Sequence, residues 1–128
     1  MSRIFLLVLS IALTGLSAPG WSAELLESYQ AYLSNRDHFN SRGVRLHSAA
    51  AIIRQDRANY HRFGKRDSAD EPDGFFSSKA NRARLERMLE RGQASRRVLN
   101  QIINSTPIIR VKIYGSGSSG TRIEVFVE

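Results

Sequence analysis

The stretch "QDRANYHRFGKRD", residues 55–67, gathers Asp56, Arg57, Asn59, Tyr60, His61, Arg62, Lys65, Arg66 and Asp67 into thirteen positions. Residue types of this kind support two chemistries. Arg54, Asp56, Arg57, Asn59, His61 and Arg62 can together form a ligand site for a carboxylate or phosphate, because a guanidinium donates two parallel hydrogen bonds to an oxyanion. His61 with Asp56 or Asp67 can act as a general base, since a carboxylate beside an imidazole fixes its tautomer and supports its charge. A third reading needs no ligand. On a helix Asp56 shares a face with Ala49, Ile52, Ile53, Tyr60 and Phe63, where a carboxylate must be paired, and Arg57 or Arg54 is within reach. The sequence favours this polar network, one that fixes the fold, with a ligand pocket beside it as the next reading.

Other chemistries lack their residues or a positional cue for them. The chain has no Cys, which excludes thiol nucleophiles and disulfides. His38, His47 and His61 are never one helical turn apart, so a zinc site would need ligands from separate elements, and no G-x-S-x-G elbow marks a serine nucleophile. The acidic loop "GKRDSADEPDG", residues 64–74, fails as an EF-hand: placing Gly74 at the loop glycine puts Ala69 and Ala80 at the first and last ligand positions. "GSGSSG", residues 115–120, matches a dinucleotide fingerprint in letters only, because a strand follows it where a helix is required. Neither a metal nor a cofactor is expected, and the acidic loop reads as ordinary surface.

The elements that must position these residues begin after an export signal. Arg3 is followed by the apolar run Ile4 to Leu16, with Pro19 and Gly20 before a small-residue zone, so residues 1–23 read as a secretory signal cut near Ala23. That run is too short for a membrane span, which needs about 20 apolar residues. About 105 residues then form one domain, 24–128, large enough to fold on its own core. The expected location is periplasmic or secreted.

Residues 24–33, "ELLESYQAYL", place Leu25, Leu26, Tyr29, Tyr32 and Leu33 at helical spacing and predict an amphipathic helix. Val44 and Leu46 alternate with Arg45 and His47 as a short strand would, and Ser48 caps a helix from Ala49 to about Phe63. Ser77 or Ser78 opens a helix with Leu85, Met88 and Leu89 inward. Gly92 ends it, and Ser95 caps another that buries Val98, Leu99, Ile102 and Ile103. The stripe stays in phase across Gly92, so one kinked helix fits as well as two. "IIRVKIY" and "TRIEVFV" alternate strictly, with Ile109, Val111, Ile113, Ile123, Val125 and Val127 on one face and Arg110, Lys112, Arg122 and Glu124 on the other. Two strands do not form a stable sheet alone, so the hairpin must gain a strand from residues 44–47 or pack on the helices. The fold class is α+β: three to four helices on a small antiparallel sheet that includes a C-terminal β-hairpin.

Charge narrows the function. The formal charge of +7 arises largely from residues 79–97, where Lys79, Arg82, Arg84, Arg87, Arg91, Arg96 and Arg97 face only Glu86 and Glu90. Arg82, Arg84, Arg87, Arg91, Arg96 and Arg97 form a candidate basic face for an anionic envelope polymer, with a solvated helix face as the plainer reading and nucleic acid disfavoured outside the cytoplasm. Two function classes stay open. The favoured one is a non-enzymatic binding or interaction module for anionic envelope material or a protein partner. The other is a small envelope-acting hydrolase using His61 with Asp56 or Asp67.

Overall fold

Strict alternation at the C-terminus builds the sheet. The computed structural model describes residues 23–128; apart from Ala23, the export signal expected over residues 1–23 lies outside the described residues. Strands β2 (Ile108–Ser116) and β3 (Ser119–Val127) pair as an antiparallel hairpin, turning at Gly117, whose φ of +61° suits glycine. The third strand is β1 (Glu24–Tyr32), which pairs antiparallel with β2 from Glu24↔Gly115 to Tyr32↔Ile108, giving the order β1-β2-β3. Four helices complete the α+β arrangement: α1 (Ala49–His61), α2 (Lys79–Ala83), α3 (Leu85–Arg91) and α4 (Arg96–Asn104).

The stretch 24–33 holds a strand, Glu24–Tyr32, where a helix is expected, and residues 44–47 make only an isolated bridge, Phe39↔Arg45. The helical spacing in β1 is an accident of a bulge: the register slips between Leu25 and Glu27, so the true inward set is Tyr29, Ala31 and Leu33. Small Ala31 hides that period of two. Tertiary need decides the conformation, because β2 would otherwise lack a partner on one side.

The core lies between the sheet and the helices. Tyr29 and Ala31 from β1 and Leu33 just after it join Ile109, Val111, Ile113, Ile123 and Val125, against Ile52 and Ile53 of α1, Leu85 and Met88 of α3 and Ile102 of α4. The opposite sheet face carries Arg110, Lys112, Arg122 and Glu124, as alternation predicts. Serine caps set the helix starts: Ser48, Ser78 and Ser95 accept from the backbone N–H of Ala51, Asn81 and Val98. The 79–104 region is three helices, with breaks at Arg84 and Gly92. At Gly92 the chain meets β3 so closely that a Cβ would sit 1.6 Å from the Ile123 carbonyl oxygen. Gln93 then docks on that edge, donating to Ile123 O at 3.1 Å and accepting from Val125 N at 2.9 Å.

The acidic loop also departs from its surface reading. It covers the free edge of β1: Glu71 accepts from Gln30 N at 2.9 Å, Asp70 from Tyr32 N at 2.8 Å, and Glu71 N donates to Gln30 O at 2.8 Å. Glu27 in return accepts from the backbone N–H of Gly74 and Phe75 at 2.6 and 2.9 Å. Carboxylates here replace a fourth strand, which closes an edge open to aggregation.

Candidate functional site

Helix α1 turns Asp56 and Arg57 into the interior, where Arg57 has no exposed surface. Its guanidinium Nε donates to Asp56 Oδ2 at 2.8 Å, and Nη1 donates to Asp73 Oδ1 at 2.8 Å and to Glu71 O at 3.2 Å. The plane lies between two aromatic rings, with Cζ 4.3 Å from the Tyr29 centroid and 4.6 Å from that of Tyr60. This is a desolvated cation held by two carboxylates and two π faces, each favourable contact offsetting a burial cost of several kcal/mol. Arg57 Nη2 and the Tyr29 hydroxyl are buried without a hydrogen-bond partner among the described residues.

Asp73 is the junction of the network. Beyond Arg57, its Oδ1 meets His61 Nε2 at 2.7 Å, and its Oδ2 accepts from Phe76 N at 2.6 Å. Asn59 ties a second layer, donating to Asp37 Oδ1 at 2.8 Å while its Oδ1 accepts from Gln55 Nε2 at 2.9 Å. Asp37 in turn accepts from the Ser34 N–H and hydroxyl. His38 bridges the carbonyls of Ser34 and Ile102, 2.8 Å on each side.

Burial sets the electrostatics. It pushes Asp56 well above the ordinary carboxylate range, against the pull of Arg57 and with Asp37 and Asp70 adding to the rise. Burial also raises Asp37, opposed by its bonds from Asn59 and Ser34. The Tyr29 phenol is held protonated by the same desolvation, which outweighs the field of Arg57.

The structure therefore divides the candidate ligand set. Asp56, Arg57 and Asn59 are buried in the network, Arg54 and Arg62 are exposed, and His61 is half-buried on the rim. Phe63 lies past the end of α1 and is 42% exposed, so it leaves the stripe on which the sequence places it. His61 meets neither Asp56, which binds Arg57, nor Asp67, which binds Arg36 at 3.4 Å. Its partner is Asp73, read from the sequence as part of a wet loop. The signal for Asp73 is local: it stands three residues before Phe76, near enough for a short acidic side chain to accept that backbone N–H beside the 3-10 turn Phe75–Ser77.

The basic face divides too. Arg82 is buried and donates to the carbonyls of Phe76 and Ser77 at 2.8 and 3.1 Å, and Arg84 donates to Gly120 O at 2.9 Å. Both anchor α2 and the break after it to neighbouring backbone. Arg87, Arg91, Arg96 and Arg97 are exposed and make no such bond among the described residues. Comparison with protein-family models, curated proteins and solved structures finds no match for the chain.

Proposed function

We propose that the chain is an exported, non-enzymatic binding module for an anionic polymer of the cell envelope. The observation that carries this reading is the unequal use of charge. Among the described lysines and arginines only Arg36, Arg57, Arg110 and Arg122 have a carboxylate partner. The carboxylates, in contrast, are consumed by the fold: Asp37, Asp56, Asp70 and Asp73 satisfy buried or edge groups, and Glu27 and Glu71 hold backbone N–H groups. Glu86 and Glu90 are the acids left beside the exposed Arg87, Arg91, Arg96 and Arg97, too few to neutralise them, which is the condition for counterion release on a polyanion.

A hydrolytic role for His61 draws less support. Asp73 already accepts from Arg57, His61 and Phe76, and its side chain has no exposed surface, so the pair resembles a structural tie more than a base awaiting substrate. Charge reversal at Arg87 and Arg91, which bond to nothing in the fold, tests the binding role. The variant should elute from a polyanionic matrix at distinctly lower salt than the wild type; equal elution would reject the reading.

A further inference from the structure

Glu86 and Glu90 stand one turn apart on α3, and neither has a hydrogen-bond or ion-pair partner among the described residues. Both line a groove of about 430 Å³ between α1, α3 and α4. Its floor is apolar: Ala49 and Ala50 come from the first turn of α1, Leu89 from α3, and Leu99 and Ile103 from α4. Part of the apolar face of α4 contributes to this floor and is left uncovered. Of Val98, Leu99, Ile102 and Ile103, which the sequence places inside, only Ile102 is fully buried.

The rim carries Glu86 and Glu90 on α3 with His47 and Ser48 opposite, and the same two acids stand beside Arg84 and Arg87 in a neighbouring cleft. Arg87 and Arg91 project from α3, and Arg96 and Arg97 open α4, so the groove is an acidic, apolar slot on a cationic protein. Such a slot repels the polyanion that the arginines attract. It is complementary to apolar side chains accompanied by a cation, with burial supplying affinity and the Glu pair selecting the partner's charge.

We infer that this groove docks a short segment of a partner protein bearing apolar side chains and a Lys or Arg that meets the Glu86–Glu90 rim. This role is separate from polyanion binding, in surface and in ligand charge. Two synthetic amphipathic peptides of identical pattern, one of Leu and Lys and one of Leu and Glu, test it by NMR titration of the purified protein. The Leu/Lys peptide should shift the amides of Ala50, Leu99 and Ile103. The E86K/E90K variant, which breaks no intramolecular bond, should weaken that peptide at least tenfold and bring the Leu/Glu peptide to the same amides. Unchanged Leu/Lys affinity in the variant, or shifts elsewhere than the groove, would overturn the inference. Binding of the Leu/Glu peptide at Arg87 and Arg91 of the wild type reports only on the anion reading, so the two proposals fail separately.

Discussion

Arg57 organises the polar interior, and its neighbours can be ranked by what their loss leaves behind. Removing Asp56 strands a buried guanidinium and opens a cavity, so Asp56→Ala should lower stability by about 3 kcal/mol. Asp67→Ala loses a loosely held pair with the exposed Arg36 and should cost less than about 1 kcal/mol. Urea melts of both variants measure the difference; equal melts would contradict the buried hub. Titration gives a second check. The folded pKa of Asp56 lies above its unfolded value near 3.8, so the folded state holds this proton more tightly. The associated stability is fully present below the unfolded pKa and is lost as pH rises through the folded one. Stability of the wild type relative to Asp56→Asn should therefore increase as pH falls from 7 to 4. A change in the other direction would mean that Arg57, not burial, governs Asp56. The Asp56–Arg57 pair is legible in the sequence, because a carboxylate between Ile53 and Tyr60 on an apolar stripe demands a cation. Asp73 is not: it joins from 16 residues away in sequence, inside a loop whose composition suggests only water.

At the scale of elements, the joints carry the specificity. Gly92 ends α3 against the backbone of β3, and an added methyl would collide with the Ile123 carbonyl, which cannot retreat without breaking its bond from Gln93. Gly92→Ala should cost about 3 kcal/mol by thermal or urea melting, whereas Ser48→Ala, losing one cap on α1, should cost about 1 kcal/mol. A Gly92→Ala protein as stable as the wild type would refute the close approach. The caps at Ser48, Ser78 and Ser95 and the C-terminal hairpin are legible because each rests on neighbours in sequence. Strand β1 is not, since a bulge near Leu26 disguises its alternation and its partner β2 follows after all four helices. The loop over residues 67–74 misleads for a related reason: its acids look free until the β1 edge that uses them is in place.

For the whole molecule, most acids serve the interior and edges, Glu86 and Glu90 excepted, while most cations, Arg57 and Arg82 aside, face outward. That partition was half legible: the basic run was plain from composition, but the loss of Arg82 and Arg84 to backbone anchoring needs the fold. Export belongs at this scale as well, and the protein recovered outside the cytoplasm should have a mass corresponding to cleavage near Ala23; an intact 14.4 kDa chain in the cytoplasm would argue against it. The most direct test of the central claim is the affinity of the protein for a polyanion measured across a salt series, for the wild type and for a variant with Arg87, Arg91, Arg96 and Arg97 changed to Gln. The account predicts that log affinity falls linearly with log salt, and that the slope shrinks in the variant because fewer counterions are released. Identical affinities and slopes for the two proteins would show that the exposed arginines do not bind the ligand and would contradict the account.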